Sequence, residues 1–310
     1  MLSIIPRIEE KPEKKYTGGL SRRARITRKL TFIIPVTILI LMVIIAIFAD
    51  LSWIGLPDVG LAPNDPNQVV IEDRLLPPAF MEDGKSDYLL GTDRHGRDVL
   101  SRVLHGTRIS LSISMLVIFI TAFIGVVSGI ISGYVGGRTD GLIMRVTDMA
   151  LSFPGIVLAL LLAVAIGPGY WTVVLALSIL GWAPYTRMVR GEALRLRETD
   201  FVAQARVIGT SPMRIMLRHV FPNVLNSLVI MMTLSVGIMI IAESTLSYLG
   251  LGISAPTASW GSMVAEGRSY LDTAWWISFF PGIAIALVVM SGNFLGDWLR
   301  DKLDPRMRQI

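Results

Sequence analysis

The 310-residue sequence contains no cysteine. That absence excludes a disulfide framework, a thiolate zinc site, an iron–sulfur cluster and a cysteine nucleophile, and it leaves the redox compartment undetermined. Charged residues are also few, at 17% of the chain, whereas an average soluble domain has about 25%. Together with 52% hydrophobic residues and a mean hydropathy of +0.59, this scarcity argues against a soluble enzyme.

Metal, nucleotide and nucleic-acid chemistry find little support in the sequence. The three histidines are scattered along the chain without the spacing of a metal site: His95, His105 and His219. The Gly-Lys-Ser at 84–86 resembles the end of a phosphate-binding loop, but the glycine that should precede it is missing. The formal charge of +5 is not gathered on a polar domain, as a nucleic-acid binder would require. The sequence therefore predicts no metal, no cofactor and no nucleic acid for this chain.

What the chain does contain is long apolar segments. Six of them could each cross about 30 Å of hydrocarbon as a helix. They are residues 30–48, 109–134, 149–166, 171–189, 224–242 and 276–295. The first begins too late and is too long for a signal peptide, so we interpret it as a retained anchor. The prediction is an all-α polytopic membrane protein with six transmembrane helices.

The distribution of basic residues predicts the orientation. Of the 29 Lys and Arg residues, 22 fall in alternate connecting segments, at 1–29, 135–148, 184–222 and 297–310. By the positive-inside rule these segments, and hence both termini, face the cytoplasm. The predicted organisation is a cytoplasmic tail over 1–29, a first span over 30–49, an external region over 50–108, a five-helix core over 109–296 and a cytoplasmic tail over 297–310.

The external region has two parts. Residues 50–90 carry eight acidic residues against Arg74 and Lys85, and several prolines interrupt regular structure, which predicts an external loop. Residues 96–109 alternate apolar and arginine side chains at helical spacing. They are predicted to form an interfacial helix lying flat on the outer surface, with contact to a receptor or a partner subunit as the alternative.

The second predicted span carries glycines at four-residue spacing: Gly125, Gly129, Gly133 and Gly137. Such a stripe lets a neighbouring backbone approach closely, which favours helix packing inside this subunit or across a dimer. A pore-lining role is the alternative.

Three residues near the end of the fifth predicted span are candidates for the pathway or its gate. Glu243 is an ionisable group at membrane depth, which is a functional hypothesis by default. It could act as a gate, pair structurally with a residue such as Arg268, or contact substrate. Tyr248 and Trp260 belong to the external segment that follows, which could form a re-entrant lid.

The predicted inner loop over 187–223 is 37 residues long, whereas connections between helices in bundles are about 2–8 residues long. Thr199 or Asp200 can cap a short helix over 201–208, which Gly209 would end, and Ser211 with Pro212 would start another. Four apolar residues fall on one face of the first helix and form a knob: Phe201, Val202, Ala205 and Ile208. From the residues alone this knob could dock on a cytosolic partner, or lie on the anionic leaflet with Arg206, Arg214 and Arg218.

This loop resembles the EAA motif of bacterial ABC importer permeases. Ala203-Gln204-Ala205 matches the Glu-Ala-Ala triplet, Gly209 its glycine, and the stretch from His219 to Pro222 its closing element. Ala203 departs from the pattern, because glutamate is commonest at that position. The resemblance implies that Phe201, Ala203, Gln204, Ala205, Gly209 and Pro222 form a coupling element seated in a cytosolic ATPase.

Longer stretches are similar to the dipeptide, oligopeptide and nickel branch of these permeases, in its second-subunit (C-type) group. They begin at Leu90, Leu151, Glu243 and Phe280. The resemblance implies a type I importer fold in a bacterial or archaeal plasma membrane. It also implies a second permease subunit, an external substrate-binding protein, surrounding lipid, and two cytosolic ATPases that bind the ATP and magnesium. Peptides are the expected cargo, with nickel complexes, glutathione or oligosaccharides as rivals.

Two other classes of protein are remote alternatives. A membrane enzyme would need paired acids, a histidine cluster or a Ser-His pair at membrane depth, and the sequence suggests none of these. A channel would transport without ATP. The sequence therefore favours a non-catalytic subunit of an ATP-driven importer.

Overall fold

The computed structural model describes residues 22–49 and 60–303, with side chains from residue 32 onward. Regular structure in these ranges is helical apart from an isolated antiparallel bridge between Thr92 and Asp98. The helices are α1 (Arg22–Phe48), α2 (Val99–Val135), α3 (Gly137–Ser152), α4 (Gly155–Ile166), α5 (Tyr170–Arg197), α6 (Asp200–Val207), α7 (Pro212–Ile215), α8 (Phe221–Tyr248), α9 (Trp260–Gly267) and α10 (Trp276–Leu303). Short 3₁₀ turns cover Ile71–Asp73 and Arg268–Tyr270.

Several of these helices can cross a membrane. In the described ranges four are long and apolar enough, or five if α3 and α4 form one bent span. One of the four is Pro212–Tyr248, in which a π-helical turn over Met216–Val220 joins α7 to α8. The apolar part of α1, Phe32–Phe48, is shorter. The all-helical, multi-pass architecture is confirmed, while the count of six spans stays a prediction.

The third predicted span differs most from its prediction. Instead of one straight helix over 149–166, α3 and α4 meet at an angle of 82°. Pro154 causes the break, because it has no N–H to donate and pushes the preceding residue out of the helical region. Phe153 accordingly has extended dihedral angles, with φ −82° and ψ 135°. The single continuous helix predicted over 149–166 is therefore interrupted at Phe153 and Pro154, and its role as one membrane span stays a prediction.

The interfacial helix predicted over 96–109 is not a separate element. Helix α2 begins at Val99 and continues without a break to Val135, and the Asp98 side chain caps it by accepting from the N–H groups of its first turn. Arg97 and Arg102 are almost fully buried instead of facing water or headgroups. The alternation of apolar and arginine residues therefore reflects buried ion pairs, which the next subsection describes.

The glycine stripe of α2 lies against α5. A Cβ at Gly125 would come within 2.3 Å of Tyr185 Cβ, and a Cβ at Gly129 within 2.7 Å of Val189 Cβ. At Gly133 it would lie 2.7 Å from Ala193 Cβ, so three successive turns of the two helices are in backbone-level contact. Gly137 is outside the stripe, since a Cβ there would meet nothing within 4 Å.

The other side of α2 faces α1, α8, α9 and α10. One buried apolar cluster contains Ile118 of α2, Ile240 of α8, Trp260 of α9 and Val288 of α10. The segment over 60–98 covers the end of the bundle at which α2 begins, and α9 lies between this segment and α8. At the opposite end, α6 packs beside the ends of α2 and α5 and the start of α7. These two ends carry the features that bear on function.

Candidate functional site

Helix α6 is delimited by its own local sequence. At its start, the Thr199 carbonyl accepts from the N–H groups of Val202 and Ala203, at 3.1 and 3.0 Å. At its end, Gly209 takes φ +80° and Thr210 N donates to Ala205 O at 3.0 Å, which closes the helix with a left-handed residue. The predicted short helix and its termination at Gly209 therefore match the structure within a residue.

The apolar knob predicted on α6 is divided between two faces. Val202 and Ala205 are buried, at 0% and 4% exposure, in a cluster of this chain that includes Tyr134, Leu196 and Ile215. The prediction that they face the cytoplasm together with Phe201 and Ile208 is wrong. The physical reason is that α6 packs on the bundle through these two small apolar side chains, which are therefore covered.

The exposed face of α6 carries different apolar residues. Val207 and Ile208 are 87% and 80% exposed, and Phe201 is 41% exposed. A shallow cavity of about 370 Å³ lies along this face, lined by Asp200, Ala203, Gln204, Val207 and Ile208. We call these five residues the α6 face. Val207 and Ile208 are the two most exposed large apolar side chains among the described residues.

Basic residues around α6 differ in their contacts. Arg206 donates to Arg197 O at 3.1 Å and lies 5.5 Å from the Tyr134 ring centroid, so it braces α6 against the bundle. Arg214 and Arg218 are exposed on the helix that follows. Pro222 is also exposed, at the start of α8 beyond the π-helical turn.

A buried carboxylate joins α8 to α2. Glu243 is 0% exposed, and it accepts from Ser110 Oγ at 3.1 Å and from Ser247 Oγ at 2.8 Å. Ser259 Oγ, at the start of α9, lies 3.4 Å from Ser247 Oγ. We call Ser110, Glu243, Ser247 and Ser259 the Glu243 cluster. The suggested pairing of Glu243 with Arg268 does not occur, because hydroxyl groups closer to the carboxylate satisfy it.

The other two pathway candidates occupy different environments. Trp260 is fully buried, with its indole N–H donating to Val103 O at 3.1 Å. Tyr248 is partly exposed, and its hydroxyl accepts from Arg268 at 3.1 Å. Glu243 and Trp260 therefore lie in the interior of this chain, and their assignment as pathway or gate residues stays a prediction. Tyr248 alone of the three is accessible.

A second buried cluster, which sequence reasoning missed, consists of Asp93, Arg97, Arg102 and Glu266. We call it the four-charge cluster. Arg97 binds Asp93 at 2.6 Å and Glu266 at 2.8 Å, while Arg102 lies 3.5 and 3.7 Å from the same two carboxylates. The i,i+4 spacing of Asp93 and Arg97 was a visible signal, but Glu266 is 169 residues from Arg97 in sequence.

The four-charge cluster also bears on metal binding. Ligand atoms of Asp93, His95 and Glu266 lie within 4.8 Å of one another. However, the Arg97 guanidinium already occupies oxygens of both carboxylates, so a cation there would have to displace it. Burial lowers the pKa of His95, and the positive charges of Arg97 and Arg94 lower it further. The arrangement is a balanced set of ion pairs, and it does not suit a metal ion.

At the α6 end of the bundle, Asp140 and Arg190 form a pair that was also not predicted. The Arg190 guanidinium donates two hydrogen bonds to Asp140, at 2.5 and 2.7 Å, and Ser132 donates a third. The pair ties the first turn of α3 to α5.

Near the α3–α4 break, an apolar cavity of about 260 Å³ lies between α4, α5 and α8, with Phe153, Leu180 and Met239 in its wall.

These features together define a class of protein. A bundle of apolar helices that includes a broken pair is typical of membrane transporters. The chain belongs to the family described as binding-protein-dependent transport system inner membrane component, whose model matches residues 125–309. It is therefore a permease subunit of such a transport system.

Individual relatives are similar over most of their length. The dipeptide transport system permease protein DppC of Escherichia coli K12 is 42% identical over 277 residues, which cover 89% of each chain. The di/tripeptide transport system permease protein DppC of Pseudomonas aeruginosa UCBPP-PA14 is 37% identical over 270 residues, covering 87% of this chain and 86% of the relative. Among solved structures, the inward-facing MetNI methionine ABC transporter aligns with a TM-score of 0.55 and 17% identity, covering 65% of this chain and 96% of the other. This likeness shows the shared fold.

Proposed function

We propose that this permease subunit imports peptides and is driven through contact between the α6 face and a cytosolic ATPase. The observation that carries the second part is the exposure of Val207 and Ile208 at the end of α6. Apolar residues in such a position are costly unless a partner covers them. Because Val202 and Ala205 are packed in the bundle, a displacement of α6 by the ATPase would be transmitted to α2, α5 and α8.

The coupling residues named from the EAA resemblance then divide into two groups. Ala203 and Gln204 belong to the α6 face and are candidates for direct contact, as is the partly exposed Phe201. Ala205 and Gly209 would act by anchoring and closing α6. Pro222 is exposed at the start of α8 and would border the contact.

We further propose six passes through the membrane, with both termini in the cytoplasm. The passes would be α1, α2, the bent α3–α4 pair, α5, the continuous Pro212–Tyr248 helix and α10. In support, the α6 end carries most of the basic residues of the spans and their connections, including Arg138, Arg195 and Arg300. The 60–98 segment would then face outward.

Peptides are the proposed cargo because two curated relatives are named for dipeptides and di/tripeptides. Nickel complexes, glutathione and oligosaccharides remain rivals handled by the same type of permease. The proposed assembly contains a second permease subunit, two ATPases that bind ATP and magnesium, and an external binding protein. The glycine stripe is assigned to packing within this subunit.

The test is reconstitution of the complete transporter in proteoliposomes with its binding protein. We expect uptake of di- to oligopeptides that requires both ATP and the ATPase subunits. Uptake without the ATPases would indicate a channel. A binding protein that has no peptide affinity but binds a sugar or a metal chelate would overturn the proposed cargo.

The orientation has a separate test, which the lack of native cysteine makes clean. A Lys85→Cys variant in intact cells should react with a membrane-impermeant thiol reagent, whereas Arg214→Cys should react only after the membrane is opened. The reverse pattern would contradict the proposed topology.

A further inference from the structure

The first turn of α9 is attached to α2 and α8. The backbone N–H of Trp260 donates to the Ser110 hydroxyl at 3.3 Å, and that hydroxyl donates to Glu243 at 3.1 Å. A Cβ at Gly261 would lie 2.5 Å from Ser244 Cα, so the backbones of α9 and α8 are in contact here. The Glu243 cluster therefore holds the start of α9 in a fixed position on α8.

The last turn of α9 is attached to the 60–98 segment and to Arg102 in the first turn of α2. Glu266 accepts from Arg97 at 2.8 Å, and Arg97 also binds Asp93, which lies in the 60–98 segment. Arg102 donates to Pro66 O at 3.1 Å in the same segment. Because Asp93, Arg97 and Arg102 are buried and Glu266 is only 18% exposed, moving α9 relative to this segment would leave the buried charges without their carboxylate partner, which is costly.

Helix α8 extends from this attachment to the coupling end of the bundle. It is continuous with α7 from Pro212 to Tyr248, and Ile215 and Val220 near its start share a buried cluster with Val202 and Ala205 of α6. A displacement of α8 at Glu243 thus has an unbroken helical route to α6. Packed helices of this kind can carry coupling between distant sites, provided that coupling is measured.

We propose that α9 transmits the position of the 60–98 segment to α8. Two positioning residues fix the ends of α9: Glu243 of α8 holds its first turn, and Glu266 in its last turn binds the 60–98 segment. The inference rests on the proposed function, in which a binding protein docks on the side of the 60–98 segment and an ATPase on the side of α6. Both carboxylates are engaged by side chains of this chain, so their role is to hold helices in register.

The first measurement is ATP hydrolysis by the complete transporter in nanodiscs, with and without the peptide-loaded binding protein. Glu243→Ala and Glu266→Ala are each expected to reduce the ratio of stimulated to basal hydrolysis about five-fold or more. The double variant should reduce it no further, because either change breaks the same connection. Unchanged ratios in both single variants, or effects that multiply in the double variant, would overturn the proposal.

A matched control is Thr245→Ala, on the same helix as Glu243. The Thr245 hydroxyl donates to Ile241 O within α8, at 2.7 Å, so its removal should leave the ratio of stimulated to basal hydrolysis unchanged. A loss as large as that of Glu243→Ala would show that any polar deletion in α8 has this effect, and would count against α9.

A second measurement does not depend on transport. In the Glu266→Gln complex, amide hydrogen exchange should rise at the start of α9 and around Ser110 as well as near Arg97. A rise confined to residues 93–102 would overturn the connection, even with peptide import intact. A wild-type complex that imports no peptide would refute the proposed cargo. Increased amide hydrogen exchange at the start of α9 and around Ser110 would still support the proposed link through α9.

Discussion

Asp140 and Arg190 form a bidentate ion pair, in which two guanidinium nitrogens lie 2.5 and 2.7 Å from the two carboxylate oxygens. Paired geometry of this type is stronger and more directional than a single contact. It joins the first turn of α3 to α5, the helix that leads directly into α6. The start of the bent α3–α4 pair is therefore held by the helix next to the proposed ATPase contact.

Removing one partner of this pair should destabilise the subunit. Arg190→Ala leaves the partly buried Asp140 carboxylate without its cation, a loss we expect to cost about 1 kcal/mol of unfolding free energy. Thermal unfolding of the purified complex measures it. The exposed pair Arg187–Asp148, at 2.7 Å, is the control, and Arg187→Ala should change stability little. Equal losses in the two variants would contradict the special role of the Asp140 pair.

The glycine stripe gives a second prediction about packing. In Gly129→Ala the new Cβ would lie 2.7 Å from Val189 Cβ and 2.8 Å from Thr186 O, so α2 and α5 would have to separate. Overpacking of this kind typically costs about 1–3 kcal/mol, which should appear as reduced yield and a lower unfolding temperature of the complex.

The control for this prediction is Gly141→Ala in α3. A Cβ at Gly141 would meet nothing within 4 Å, and alanine has the higher helix propensity. Stability should therefore be unchanged or slightly raised. If Gly129→Ala behaved like Gly141→Ala, the close contact between α2 and α5 would be wrong.

Local signals predicted some features well. The end of α6 follows from Gly209, because a left-handed glycine closes a helix locally. The side-chain cap expected from Thr199 or Asp200 is absent, since the Thr199 hydroxyl donates to Leu196 O instead. The glycine spacing predicted a close helix contact, but it could not name α5 as the neighbour. The break before α4 has a local signal in Pro154, which the prediction of a helix over 149–166 did not use.

Other features could not be predicted from local pattern. The four-charge cluster requires Glu266 to meet Arg97 across 169 residues, so the arginines looked like surface residues at helical spacing. On α6, apolar residues occur on both faces, and periodicity alone cannot tell which face the bundle covers. Only the packing of Val202 against the bundle separates the anchoring face from the exposed one.

His95 provides a prediction about pH. Its pKa is lowered by burial and by Arg97 and Arg94, with a smaller opposite effect of Asp93 and Glu266. Below the usual histidine pKa of 6.5, the unfolded chain therefore binds a proton that the folded chain does not, so stability should fall as the pH drops through that value. His95→Gln should weaken this dependence of the unfolding temperature between about pH 7.5 and 5.5. An identical pH dependence in the variant would contradict the assignment.

The α6 turn gives the sharpest functional prediction. Gly209 has φ +80°, so Gly209→Val should strain the turn by about 1–2 kcal/mol and tilt α6. We expect this variant to lower transport and ATPase attachment, while its membrane spans still insert. Ile208→Asp should weaken attachment without straining the turn, because it places a charge on the exposed end of the α6 face. Gln204→Ala should have little effect, whereas Ala205→Glu should be severe, since Ala205 is buried. Purification of the Ile208→Asp and Gly209→Val complexes with full ATPase stoichiometry and undiminished transport would show that α6 is not the coupling element.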